Sequence, residues 1–99
     1  MVYDVQYVLF DDGTGFYAKI SGQAVGQITF VRSGGDKMII DHTEVDEPYR
    51  DSQVGLGLVT AVVNMARVQK RKIVALCPFA SAMFNRHPEF ADVRLMNAR

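Results

Sequence analysis

The sequence predicts an α/β fold of the α+β kind: an antiparallel β-meander, then a β-α-β crossover with one parallel strand pair, then a short C-terminal helix. Three observations carry this reading. The first half is rich in aromatic and β-branched residues and is broken by Gly- and Asp-bearing turns. From Gly55 onward the apolar period becomes that of a helix. A short apolar run, Lys72 to Leu76, follows that helix, and a strand–helix–strand series of this length makes a right-handed crossover between parallel strands.

Each element has its own warrant. Val2 to Phe10 reads as a first strand ended by Asp11-Asp12-Gly13. Phe16 to Ile20 and Gln23 to Val31 are strand-like, and Ser21-Gly22 between them suits a two-residue hairpin turn. Ser33-Gly34-Gly35-Asp36 leads into a strand over Lys37 to Val45. In the helix from Gly55 to about Gln69, Leu58, Val62 and Met65 share one face, with Val59 and Ala66 beside them. Asp51 or Ser52 is placed to cap it, and Arg67, Lys70 and Arg71 suit its C-terminal end. Pro78 to Asn85 reads as a second, short helix with proline in its first turn.

Composition removes several classes of function. At 99 residues the chain is expected to be one domain, residues 1–99, with one modest core. Lys+Arg and Asp+Glu both number 11, without the basic excess of a nucleic-acid-binding protein. No window approaches the roughly 18 apolar residues of a membrane span. The N-terminus carries neither a basic segment nor an apolar signal core, so a cytoplasmic location is expected. One cysteine makes no internal disulfide, and two scattered histidines make no metal site. The segment Gln69-Lys70-Arg71-Lys72 reads as a solvated turn.

The stretch Tyr49-Arg50-Asp51-Ser52-Gln53-Val54-Gly55 lies between an extended run and a helical run. A helix N-terminus leaves backbone N–H groups without intrahelical partners and adds partial positive charge, so an anion fits there. Gly55 and Gly57 read equally well as ordinary loop glycines. Ligands of open α/β sheets bind beyond the carboxyl ends of parallel strands, which places Arg50 and Cys77 on one crevice. Cys77 is a small hydrophobe or a nucleophile by this reading, and Arg50 a surface charge or an anion ligand. By period two, His42 and Glu44 share a face with Met38 and Ile40. A histidine there is a satisfied core residue or a base, and His87 before Pro88 suits the end of the second helix.

Several fragments occur in a characteristic order: Asp41-His42-Thr43-Glu44-Val45, Tyr49-Arg50, Leu58-Val59, Ala66-Arg67, Leu76-Cys77-Pro78-Phe79 and Phe84-x-x-His87-Pro88-Glu89-Phe90. Together they resemble the small GCN5-related N-acetyltransferase-like family, from about Phe16 to Val93. The resemblance implies a reduced form of the acetyltransferase fold, without the usual N-terminal helices and C-terminal strands. It also implies acetyl-CoA or CoA as co-substrate and an unidentified amine as acceptor, with a monomer or a homodimer equally open. Backbone N–H groups from Arg50, Asp51, Ser52, Gln53, Val54 and Gly55 would hold the pyrophosphate. A backbone N–H near Val45 would polarise the thioester, and Phe84 and His87 would complete the cofactor site. His42, Glu44 and Cys77 are the implied catalytic residues. The first two are candidate bases for the amine. For the leaving group, departure as a thiolate or protonation by Cys77, His87 or water stays open, and Cys77 is also a candidate covalent acetyl carrier.

Two positions depart from the pattern. In the family's R-x-x-G-x-G/A loop, Gln53 stands where glycine is usual. The N-x-x-A-x-x-x-Y motif of larger acetyltransferases becomes Cys77-x-x-Ala80-x-x-x-Phe84, so the tyrosine that protonates the leaving thiolate is absent. Both departures keep open a CoA-binding module with little catalysis, or a small α+β interaction domain.

Overall fold

The computed structural model describes residues 4–50 and 53–95. Five strands, β1 (Val5–Leu9), β2 (Gly15–Ile20), β3 (Gln23–Ser33), β4 (Lys37–Val45) and β5 (Lys72–Ala75), form one sheet in sequence order. Pairing is antiparallel from β1 to β4 and parallel between β4 and β5. Helix α1 (Val54–Gln69) joins the parallel pair, and α2 (Pro78–Arg86) follows β5. The expected meander and crossover are thus present, with boundaries displaced by at most two residues except at β1, which starts at Val5, where Val2 and Tyr3 of the expected strand lie outside the described residues. Short 3-10 segments at Glu47–Tyr49 and Pro88–Val93 were not foreseen.

Local chemistry explains the junctions. Ser21 and Gly22 take φ of 52° and 81°, the paired positive values that match a two-residue hairpin to the twist of its strands. The N-cap of α1 is Gln53, whose side chain makes no capping bond, so capping by Asp51 or Ser52 is not the arrangement found at that position. Asp51 and Ser52 themselves lie outside the described residues. At its other end α1 stops where Lys70 adopts a left-handed conformation, φ 59°, and the Arg71 N–H bonds the Ala66 carbonyl at 2.9 Å.

The core lies on one side of the sheet. Leu58, Val59, Val62, Val63 and Ala66 of α1 are buried against Ala18, Ile28, Phe30, Met38, Ile40 and Ile73. Each fully buried aliphatic side chain contributes about 1.5–3 kcal/mol relative to exposure. Beyond α2 the chain returns beside β5, where Arg94 bridges Ile73 in parallel. Two right-handed crossovers advancing in the same direction put both helices on the same face. The C-terminal segment is tied down by Arg67, which bonds Asp92 through Nε and Nη2, each at 2.9 Å, and the Glu89 carbonyl at 2.9 Å.

One feature of β4 overturns the strict alternation expected for it. Phe30 pairs with Ile40, but Thr29 pairs with His42, so Asp41 is an extra residue, a β-bulge. Its carboxylate accepts a hydrogen bond from Thr29 Oγ1 at 2.7 Å. The bulge exchanges the faces of everything beyond it. Thr43, opposite Ile28, and Val45, opposite Gly26, now point to the helical side. His42 and Glu44 therefore do not share a face with Met38 and Ile40. They lie on the opposite, open face, opposite Thr29 and Gln27, with side chains 60% and 62% exposed.

Candidate active site

The parallel strands part at one carbonyl. Pairing ends at Ile40 and Ala75, and the N–H groups of both Leu76 and Cys77 bond the Ile40 carbonyl, at 3.1 and 3.2 Å. Past this point β4 continues to Val45 paired only with β3, while the strand β5 gives way to α2 with Cys77 as its N-cap. Beyond the split lies a cavity of about 640 Å³. Its walls come from the free end of β4, the first turn of α1 and one face of α2.

The α1 wall suits an anion. Among the described residues, the backbone ladder of α1 begins with the bond from the Gly57 N–H to the Gln53 carbonyl, at 2.9 Å. The N–H groups of Gly55 and Leu56, both on the cavity, precede that ladder and have no acceptor among the described residues. Gln53 lines the cavity with φ −86°, a conformation that needs no glycine. Arg50 also lines it, and its Nε bonds the Val45 carbonyl at 2.9 Å, which fixes the end of β4 to the loop.

Gly55 and Gly57 are not ordinary loop glycines, because both lie inside α1. Each is small because an aromatic ring passes over it. A Cβ at Gly55 would run into Cζ of Phe79, and one at Gly57 would overlap the Tyr7 hydroxyl.

The α2 wall presents Phe79, Met83 and Arg86, spaced i, i+4, i+7 and so on one helical face, followed by His87. His87 Nδ1 stands 3.2 Å from Glu89 Oε2. Arg86 was missed in the sequence, although that spacing signals it. Phe84 is turned away from the cavity, 4% exposed, with its ring 5.6 Å from that of Phe90.

Cys77 is 7% exposed and does not line the cavity. Its thiol donates to Thr43 Oγ1 at 3.5 Å, and Thr43 does line the cavity. Burial pushes the Cys77 thiol up, but the Thr43 hydroxyl and the backbone N–H groups of Ala80, Phe79 and Thr43 outweigh it, leaving the thiol more acidic than an ordinary cysteine. Thr43 was not singled out from the sequence, because the face it occupies depends on the bulge.

The two faces of β4 thus carry different chemistry. Arg50, Gln53, Gly55 and His87 meet around one cavity, and Glu44 and Val45 border it. His42 lies on the far side of the sheet, its Nε2 3.8 Å from Glu44 Oε1. Asp51 and Ser52 lie outside the described residues.

A sheet whose two parallel strands split beside a helix N-terminus is the architecture of N-acetyltransferases. The chain belongs to the GCN5-related N-acetyl-transferase family, whose sequence profile matches residues 15–93. A GCN5-like protein from Staphylococcus aureus, solved in solution, is 29% identical over 99% of this chain and 96% of its own, with a TM-score of 0.74. A Mycobacterium tuberculosis protein solved in complex with CoA is 21% identical over 77% of this chain and 48% of that one, with a TM-score of 0.67. A GNAT family acetyltransferase from Elizabethkingia anophelis, solved with acetyl-CoA bound, is 16% identical over 73% of this chain and 50% of that one, with a TM-score of 0.61. The chain spans about half the length of these last two. No curated protein sequence matches it. Among the described residues no helix is long and apolar enough to cross a membrane.

Proposed function

We propose that this chain binds acetyl-CoA in the cavity beside α1 and transfers the acetyl group to an amine that arrives from the open face of the sheet. The observation that carries the proposal is the split at Ile40. Beside it lies a cavity lined by Arg50, Arg86, Glu44 and the first turn of α1, and Glu44 Oε1 stands 3.8 Å from Nε2 of His42 on the open face. The pyrophosphate lies against the first turn of α1, between the two arginines, where helix dipole and guanidinium charge act together. The thioester lies at the free edge of β4. Thr43 directs its N–H to Cys77 across that edge. By alternation the Val45 N–H projects from the same edge, where it stabilises charge growing on the carbonyl oxygen. His42 or Glu44, directly or through a water, takes the proton of the attacking amine.

Direct transfer is favoured over an acetyl-Cys77 intermediate because the sulfur is buried behind Thr43. The test is calorimetry with acetyl-CoA together with amide shifts on titration, followed by thiol release against a panel of amines. Perturbed amides at Arg50 and from Gln53 to Leu56 are expected. Perturbations that avoid this segment would remove the site. Binding without turnover for any amine would leave a CoA-binding module.

A further inference from the structure

We propose that the Thr43 hydroxyl protonates the departing thiolate of CoA, and that Cys77 behind it supplies the replacement proton. The inference rests on the reading above that acetyl-CoA occupies the cavity. Three observations on this wall converge. Phe84, at the position where larger relatives place a tyrosine, is buried against Phe90 and has no proton to give. Thr43 lines the cavity at the split of the strands. Its oxygen already accepts a hydrogen bond from the Cys77 thiol, and its own hydroxyl hydrogen has no acceptor among the described residues. The hydroxyl is therefore filled from behind and open in front, the arrangement of a proton relay.

The step balances. As the tetrahedral intermediate collapses, the carbon–sulfur bond breaks and its electron pair goes to sulfur. That sulfur takes the hydrogen of Thr43 Oγ1, while Oγ1 takes the hydrogen of Cys77 Sγ. The products are the CoA thiol, an intact threonine and a Cys77 thiolate. The thiolate is held by the N–H groups of Thr43, Phe79 and Ala80, and water later returns its proton. Among the described residues the groups that hydrogen-bond the sulfur are uncharged, so its reprotonation opposes no ion pair. Thr43 touches the leaving group, whereas Cys77 acts only through it. A threonine alone is a poor acid, and a buried cysteine alone cannot reach the cavity.

The experiment uses thiol release from acetyl-CoA, with the best amine of the panel or with water as nucleophile, read as kcat and KM against pH. The midpoint of Cys77 is read in parallel from the single resonance of protein labelled with [3-13C]cysteine, since the chain has one cysteine. Thr43→Val should lower kcat about 10- to 100-fold at every pH, less than the most that general acids supply, because a thiol leaves with modest help. KM for acetyl-CoA should not move. Thr43→Ser should restore the rate. In the wild type kcat should fall at alkaline pH with the midpoint of the labelled cysteine, and Cys77→Ser should abolish that fall. Full kcat in Thr43→Val, or an alkaline limb that persists in Cys77→Ser, overturns the relay while leaving the acetyltransferase intact. Calorimetric binding with no thiol release from any nucleophile overturns both.

Discussion

The ring of Phe79 crosses Gly55 so closely that a single methyl group at Gly55 cannot coexist with it. Phe79 is the second residue of α2 and Gly55 the second of α1, so this contact fixes the spacing of the two helix starts on either side of the cavity.

Gly55→Ala is therefore expected to act on binding more than on stability. Alanine gains helix propensity of about 1 kcal/mol over glycine. The ring it displaces is 38% exposed and can swing outward at modest cost. The fold should survive with stability changed by no more than about 1 kcal/mol, by the same propensity scale. CoA affinity should fall, because the displaced ring stands on the cavity wall. Thermal unfolding and calorimetry on the same sample separate the two effects.

Gln53→Gly should bind CoA as tightly as the wild type or more tightly. The backbone at Gln53 is in an ordinary negative-φ region, so glycine relieves no strain there. It does remove a side chain from the cavity wall and lets phosphate approach the backbone. A clear loss of affinity would show that the glutamine side chain is itself a ligand.

Arg50→Ala should weaken CoA binding by roughly 1.5–3 kcal/mol, the worth of a hydrogen bond to a charged partner. Arg50→Lys should recover only part of this, since an ammonium does not reproduce the bond from Nε to the Val45 carbonyl. Raising the salt concentration should narrow the difference between the variants.

His42→Ala should slow transfer to a confirmed amine by about 100-fold, the low end for a general base. CoA affinity should hardly change, because the His42 side chain is on the face away from the cavity. Equal rates in His42→Ala and Glu44→Gln would exclude both as the base.

Acid stability should depend on Asp92. Its hydrogen bonds from Arg67 hold the carboxyl below the usual carboxylate range. A depressed folded value means that the pair stabilises the fold above the unfolded value, about 3.9 for aspartate, and that this contribution disappears as pH falls through the folded value. Asp92→Asn should thus be less stable than the wild type near neutral pH and indistinguishable from it in strong acid. Denaturant unfolding at a series of pH values reads the convergence.

Turns, period and strand order made the architecture legible, because Ser21-Gly22, the helical face of Leu58, Val62 and Met65, and the run after Lys72 are local signals. Topology placed a crevice beside Arg50, but Cys77, expected to flank it, is buried behind Thr43 and does not line it. What stayed hidden was non-local. The bulge at Asp41 is visible only in the pairing with Thr29 and Phe30, and it decides which side of the sheet His42, Thr43 and Glu44 serve. The roles of Gly55 and Gly57 depend on rings that arrive from Phe79 and Tyr7, far away in the chain. Capping failed as a guide because the helix starts at Val54 from Gln53, a residue with no capping bond.

Asp41 works as a frame-shift inside a strand. Upstream, the alternation Met38, Ile40 is committed to holding the molecule together. Downstream, the same alternation is read one residue out of phase, so His42, Thr43, Glu44 and Val45 are freed from the rhythm that builds the core. Substitutions at His42 or Glu44 cost no buried contact, and those at Thr43 or Val45 alter the cavity without touching Met38 or Ile40. A strand divided in this way lets one short segment change while the remainder keeps its sequence. Deleting Asp41 alone would undo that separation, driving His42 toward the helices and Thr43 out to solvent.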